Sequence, residues 1–191
     1  MTTLAPSLYS RRFPHAAVWV RDLLLIATGA FFLAALAQIE IVLPFTPVPI
    51  TGQTFGVLLL GAALGSKRGA SSILLYITEA TLGLPFFAGG ASGLRVLSGA
   101  TAGYLIGFIG AAYAIGWLAE HGLERSFRTS IIPFLAGTVI IYVCGVAWLS
   151  FVLGSFGKAI ALGLLPFLAG DTVKLIAASL VLPGAWRLVG K

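Results

Sequence analysis

Long apolar runs, separated by short groups of glycine, proline and charged residues, dominate the pattern along this chain. About 20 apolar residues are enough to cross a bilayer as a helix. The breaks divide the chain into six predicted membrane helices, at residues 23–42, 51–66, 69–84, 98–119, 130–153 and 160–183. The pattern therefore predicts an all-α integral membrane protein, a six-helix bundle in one domain over residues 1–191.

The predicted breaks differ in character. Residues 65–69 combine glycines with Lys67 and Arg68, which predicts a tight basic turn. Residues 43–51 contain three prolines, which deny a helix and favour extended backbone, so we expect an ordered apolar loop. Residues 83–95 contain four glycines, which let the backbone approach a ligand closely. We expect this glycine-rich loop, including Gly90 and Ala91, to form the rim of a pocket.

Composition agrees with a membrane protein and argues against a soluble one. The chain is 59% hydrophobic and 9% charged, whereas soluble domains carry about 25% charged residues. The net charge of +6 comes from basic residues that are scattered singly or in pairs, which favours a topological role over nucleic-acid binding. The single cysteine, Cys144, excludes a disulfide framework and a cysteine-based zinc site.

The basic residues predict the orientation of the six helices. No small-residue cleavage site follows the first apolar segment, so we expect a retained helix rather than a cleaved signal. With the N-terminus inside, nine basic residues fall on the cytoplasmic side: Arg11, Arg12, Arg21, Lys67, Arg68, Arg125, Arg128, Arg187 and Lys191. Two fall outside: Arg95 and Lys158. Positive charge concentrates on the inside in membrane proteins, so both termini are predicted to be cytoplasmic.

Asp171 and Lys174 are the strongest candidates for function. Each charge in a membrane helix costs about 2.5 to 3.5 kcal/mol on insertion scales, so such residues face protein or water rather than lipid. The i, i+3 spacing lets the two side chains meet each other or converge on one ligand. With both loops and the start of the sixth helix on the outer side, these elements are expected to form one site.

Three further polar or aromatic residues are candidates for the same site. Glu79 lies inside the third predicted span, where it either contacts a substrate or is hydrogen-bonded to a neighbouring helix. Gln53 lies at the outer end of the second span, where a helix start is the simpler explanation. Tyr104 falls toward the outer half of the fourth span, where stacking on a flat ligand competes with a place in the aromatic belt.

Small residues also follow a helical pattern in the first predicted span. Ala30 and Ala34 belong to a stripe of alanines spaced three and four residues apart. Such rows let helices approach closely in lipid. The stripe is compatible with packing inside the bundle and with a groove for a partner membrane protein, and the pattern does not distinguish the two.

Six segments of the chain carry a resemblance to a known family, and they occur in the family's order: Ala37-Gln38-Ile39, Pro47 to Thr54, Leu64 to Gly69, Gly83 to Gly90, Gly103 to Phe108, and Gly170 to Lys174. The chain resembles the BioY family, the biotin-specific substrate-binding (S) components of energy-coupling-factor (ECF) vitamin transporters. Ala169-Gly170-Asp171 departs from the Pro-Gly-Asp usual in that family. Gly99 to Tyr104 likewise departs from its Gly-Pro-x-Gly-Gly-Tyr.

The resemblance implies a six-helix bundle with a biotin pocket that opens to the outside of the cell membrane. It implies that Asp171 and Lys174 contact biotin. Further candidate binding residues are Gly90, Ala91, Tyr104, Gln53 and Glu79. The segment Pro47-Val48-Pro49-Ile50 would close over the ligand as a lid. Ala30 and Ala34 would dock on an ECF transmembrane coupling subunit that works with ABC-type ATPases. No cofactor, metal or catalytic residue is implied.

Other classes of function explain the sequence less well. An intramembrane enzyme would need a base at membrane depth, and neither histidine lies inside a predicted span. A structural membrane subunit would explain the helices but not the Asp171–Lys174 pair. An S component for another vitamin keeps the fold, although cationic thiamine would be unfavourable beside Lys174. Whether the protein acts alone, as an oligomer or with ATPases stays open.

Overall fold

The computed structural model describes residues 3–15 and 17–188. These described residues form eight α-helices in chain order: α1 (Leu4–Arg12), α2 (Val18–Ala37), α3 (Gln53–Leu64), α4 (Ser66–Thr81), α5 (Ala102–Glu120), α6 (Phe127–Leu153), α7 (Phe156–Gly163) and α8 (Leu168–Leu188). Three short 3-10 helices join them: Ala88–Gly90, Leu94–Ser98 and Leu165–Phe167. Two strands, β1 (Glu40–Ile41) and β2 (Ile50–Thr51), pair antiparallel. The prediction of an all-helical protein is confirmed.

Four stretches of the described chain are long and apolar enough to span a membrane: Val18–Ala37, Ala102–Glu120, Phe127–Leu153 and Phe156–Arg187. Two helices between the first and second stretch are shorter, since α3 has 12 residues and α4 has 16. The count of six spanning helices therefore stays a prediction. So does the orientation of the termini, and Lys191 of the predicted cytoplasmic set lies outside the described residues.

Several predicted boundaries are wrong for identifiable reasons. The first span is Val18–Ala37 rather than 23–42, because residues 40–41 leave the helix and pair with residues 50–51. The basic turn at 65–69 is Gly65 alone, which takes a φ of 88°, and Lys67 and Arg68 lie in the first turn of α4. The sixth span, 160–183, is two helices interrupted at residues 164–167.

The alanine stripe of α2 faces the inside of the bundle. Ala30 is 0% exposed and Ala34 is 6% exposed. Neighbouring Gly29 packs so closely on α4 that an added Cβ would lie 2.5 Å from Oγ of Ser72. Phe31, 57% exposed, lies on the outer face of α2 instead. The prediction that Ala30 and Ala34 form a partner surface is therefore wrong, and internal packing accounts for both residues.

The connections between helices gather at two opposite ends of the bundle. At one end, Nε of Arg68 in α4 lies 2.8 Å from Oδ1 of Asp22 in α2. At the same end, the Ser66 amide donates to Oε1 of Glu120 at 2.8 Å. At the other end, Gln38 donates to the Phe87 carbonyl at 3.3 Å. That hydrogen bond joins the α2–α3 connection (residues 38–52) to the α4–α5 connection (residues 82–101).

Candidate functional site

A cavity of about 270 Å³ opens at the end of the bundle where the 38–52 and 82–101 connections meet. Its size is close to the lower limit of the roughly 300 to 1,000 Å³ typical of small-molecule sites. Three phenylalanines contribute apolar surface to its wall: Phe87, Phe108 and Phe167. The proline-rich loop, the glycine-rich loop and the last helix were predicted to form one site, and the structure does bring them together.

Asp171 and Lys174 lie in the first two turns of α8, and both line the cavity. Lys174 Nζ is 2.7 Å from Oδ1 of Asp171, so the i, i+3 spacing does form an ion pair. Asp171 is 8% exposed and the Lys174 side chain is 20% exposed, so the pair is largely shielded from bulk water. Buried charges of this kind are stable only when paired and fully hydrogen-bonded.

Two residues that the sequence did not single out complete the surroundings of the pair. The hydroxyl of Thr54, in the first turn of α3, donates to Oδ1 of Asp171 at 3.0 Å and accepts from Lys174 Nζ at 2.8 Å. The phenol of Tyr142, on α6, donates to Oδ2 of Asp171 at 2.7 Å. Thr54 is the last residue of the Pro47 to Thr54 segment, so the family resemblance did point to the part of the chain that contains it. Tyr142 had none, because α6 reaches α8 only through tertiary packing.

The hydrogen-bond capacity of the pair is unevenly used. Lys174 Nζ donates to the Thr51 carbonyl at 2.8 Å as well as to Thr54 and Asp171, so all three of its protons have acceptors. Oδ1 of Asp171 receives two donors and Oδ2 receives one. One acceptor position on Oδ2 therefore stays available to a ligand that carries an N–H or O–H group.

Gln53 lines the cavity at the start of α3 and is buried. Its Nε2 donates to the Tyr76 hydroxyl at 2.8 Å, and its Oε1 accepts from the Thr51 hydroxyl at 3.0 Å. These contacts fix the side-chain amide in one orientation. Gln53 is therefore both the first residue of α3 and a fixed part of the cavity wall.

Tyr104 lines the cavity from α5, and two glycines make room for it. A Cβ at Gly145 of α6 would overlap its ring, and one at Gly163 of α7 would overlap its hydroxyl. That hydroxyl donates to the Gly163 carbonyl at 2.7 Å. The ring is therefore held rigidly between α6 and α7, as a fixed part of the cavity wall.

The two connections contribute only part of the residues predicted from them. Val48 and Pro49 line the cavity, whereas Pro47 and Ile50 do not. In the glycine-rich loop, Ala91 lines the cavity and Gly90 does not. Gly90 instead forms part of a turn, with a φ of 73° and its amide bonded to the Phe87 carbonyl at 3.1 Å.

Glu79 lies away from the cavity, so the structure does not support a substrate contact for this residue. Its Oε2 is buried in α4 and has no hydrogen-bond partner among residues 3–15 and 17–188. The predicted structural alternative, a hydrogen bond to a neighbouring helix, is therefore not formed by this oxygen.

Glu40, on β1, is a lining residue that the sequence analysis missed. Its carboxylate lies against the turn at Gly89, where an added Cβ would be 2.6 Å from Oε2 of Glu40. No hydrogen bond or ion pair joins this carboxylate to another residue of the described chain. Because Asp171 and Lys174 neutralise each other, Glu40 leaves the lining with an unpaired negative charge.

The arrangement suits a small ligand with an apolar body and polar groups that match a buried acceptor. Its Asp171–Lys174 pair is held by three neighbouring groups: the Thr51 carbonyl, the Thr54 hydroxyl and the Tyr142 phenol. A cavity with apolar walls and a few convergent polar groups is typical of a small-molecule binding site.

The sequence matches the family model described as the BioY family over residues 6–191. The biotin transporter BioY of Rhizobium etli is 36% identical over 170 residues, which cover 84% of this chain and 90% of the relative. The biotin transporter BioY of Thermotoga maritima is 40% identical over 157 residues, which cover 82% of this chain and 92% of the relative.

The structure is similar to the crystal structure of the S-component for biotin from an ECF-type ABC transporter. The TM-score is 0.80 at 28% sequence identity, and the match covers 90% of this chain and 92% of the other. The likeness therefore extends over most of the length of both chains.

Proposed function

The chain belongs to the BioY family, and on that premise we propose that it takes up biotin by capturing it in the cavity described above. The observation that carries the proposal is the Asp171–Lys174 pair, which lines a cavity whose wall also contains three phenylalanines. Biotin has a planar ureido head with two N–H donors, an apolar ring and chain, and a carboxylate tail. The ureido head corresponds to the Asp171 acceptor, and the apolar ring and chain correspond to the aromatic wall of the cavity.

Hydrogen-bond capacity assigns different roles to the two charges. Oδ2 of Asp171 has an acceptor position left, so it is the group that receives an N–H of the ureido ring. All three protons of Lys174 are donated to Thr51, Thr54 and Asp171, so its main role is to hold the Asp171 carboxylate in place through their ion pair. Charge-assisted hydrogen bonds of this kind are about twice as strong as neutral ones.

The loop that covers the cavity supports capture rather than free passage. Val48 and Pro49 form part of the lining, and we propose that this segment closes over a bound ligand as a lid. Closure over the bound ligand would exclude water and strengthen its contact with Asp171. Pro47 and Ile50 belong to the same segment but do not line the cavity, and Ile50 lies in β2, paired with Ile41.

The proposed setting is the cell membrane, with the chain crossing it several times and both termini in the cytoplasm. The excess of basic residues lies at the end of the bundle opposite the cavity, which supports a cavity that opens outward. A likeness to an S-component of an ECF-type ABC transporter supports delivery of biotin together with a membrane coupling subunit and separate ATPases. Solitary or oligomeric action is the alternative.

Isothermal titration of the purified protein in detergent, stripped of carried-over ligand, tests the proposal. Biotin is expected to bind tightly at a 1:1 ratio, and thiamine to give no heat. A biotin amide, which keeps the ureido ring and loses the carboxylate charge, reports how much the tail contributes. Absence of heat with biotin on folded protein would contradict the proposal and direct the search to other vitamins.

A further inference from the structure

The interruption between α7 and α8 leaves backbone carbonyls without their helical partners, and that of Leu162 is one of them. In a continuous helix the carbonyl of Leu162 would accept from the amide of residue 166. Residue 166 is a proline and has no N–H, so this acceptor cannot be used in that way. The chain turns instead through a 3-10 helix, in which Phe167 bonds Leu164 at 3.0 Å.

A side chain from a distant part of the chain satisfies that carbonyl. The hydroxyl of Thr46, in the 38–52 connection, donates to the Leu162 carbonyl at 2.6 Å. Thr46 is 9% exposed, so the bond is shielded from water. A buried carbonyl that loses its partner is costly, which makes this contact hard to break.

The same hydroxyl also organises the segment that covers the cavity. Its oxygen accepts from the Val48 amide at 3.2 Å. Val48 is buried and lines the cavity, and Pro49 follows it. One hydroxyl therefore joins the covering segment to the break before α8, the helix that carries Asp171 and Lys174.

We infer that Thr46 is the positioning residue that fixes the 38–52 connection over the cavity, by capping a carbonyl that Pro166 leaves open. The connection moves only when this bond breaks, so the Thr46–Leu162 contact sets how often the cavity opens. Its effect on ligand retention rests on the proposed function, whereas its effect on the loop itself does not.

The first measurement is amide hydrogen exchange of residues 38–52 in the ligand-free protein, compared among wild type, Thr46→Val and Thr46→Ser. Valine has a similar shape and no hydroxyl, and serine keeps the hydroxyl. Exchange in this segment is expected to rise roughly five- to thirtyfold in Thr46→Val and to stay near wild type in Thr46→Ser. Equal exchange in all three proteins, or equal acceleration in both variants, would overturn the inference.

Pro166→Ala provides a second route that leaves the loop sequence unchanged, should Thr46→Val fail to fold. Alanine supplies an N–H that competes for the Leu162 carbonyl, so exchange of residues 38–52 is again expected to accelerate. An unchanged rate in a folded Pro166→Ala protein would count against the inference.

The second measurement is dissociation of labelled biotin during a chase with unlabelled biotin. Release is expected to be roughly five- to thirtyfold faster from Thr46→Val than from wild type, and near wild type from Thr46→Ser. If wild type binds no biotin, the proposed function fails, and hydrogen exchange still decides the role of Thr46. If wild type binds biotin and all three proteins release it equally, the role of Thr46 fails alone.

Discussion

The phenol of Tyr142, on α6, donates a 2.7 Å hydrogen bond to Oδ2 of Asp171, on α8. Oδ1 of the same carboxylate receives two donors, from Thr54 and Lys174, so a single acceptor position on Oδ2 stays unused. The bond therefore joins α6 to α8 at the site, although Tyr142 and Asp171 are 29 residues apart in the sequence.

Tyr142→Phe is expected to weaken biotin binding roughly tenfold, because the carboxylate loses a donor that stabilises its charge and fixes its orientation. Titration calorimetry measures the change. Tyr113→Phe is the matched control, since Tyr113 lies on the outer face of α5 and is 51% exposed. Equal affinities in both variants would remove Tyr142 from the site.

Asp171→Asn and Lys174→Ala are each expected to reduce biotin affinity at least about a hundredfold, because removing one partner leaves the other as an uncompensated buried charge. Lys158→Ala, at an exposed position on α7, is the control for loss of a lysine. Size-exclusion profiles and thermal melting in detergent check that the variants are folded. Wild-type affinity in either variant would refute its assigned role.

Glu40→Gln is expected to strengthen binding of anionic biotin roughly two- to tenfold, because it removes the unpaired negative charge of the cavity lining. The gain should shrink at high salt, since Glu40 is only half-buried. The biotin amide, which has no charge, should gain little. A loss of affinity for both ligands would show instead that Glu40 accepts a hydrogen bond from the ligand.

Gly163→Ala is expected to destabilise the protein by about 1 to 3 kcal/mol and to weaken biotin binding, because the new methyl group overlaps the Tyr104 hydroxyl and lies 2.5 Å from Cδ2 of Leu149. Gly157→Ala is the matched control on the same helix, since a Cβ there meets no heavy atom within 4 Å. Thermal melting and calorimetry report the two effects. Similar behaviour of both variants would show that the fit between Tyr104 and Gly163 is not required.

Glu124, in the turn between α5 and α6, is 0% exposed, and Arg125 approaches it only to 3.8 Å. Burial raises the pKa of Glu124 above its ordinary value of 4.5, so the folded state favours the protonated form. The resulting stabilisation is fully present below pH 4.5 and is lost as pH rises through the raised pKa. Melting temperature should therefore fall over that window in wild type and fall less in Glu124→Gln. Parallel pH profiles for the two proteins would contradict this prediction.

The sequence by itself determined the class of the protein and the centre of its site. A chain with 9% charged residues and long apolar runs has to be a membrane protein, and charges within such runs have to face protein or water. The i, i+3 spacing alone brings Asp171 and Lys174 onto one face of a helix, because helical geometry is local. The family segments were also readable, since they depend on residue order.

Only the tertiary structure decided which residues surround that pair. Tyr142 and Thr54 reach Asp171 from other helices, and Thr46 reaches Leu162 across 116 residues, so no local pattern encodes these contacts. The alanine stripe of α2 shows the same limit, because a row of small residues is equally suited to packing inside and outside a bundle. Which face of a helix is buried depends on its neighbours, and neighbours are set by the fold.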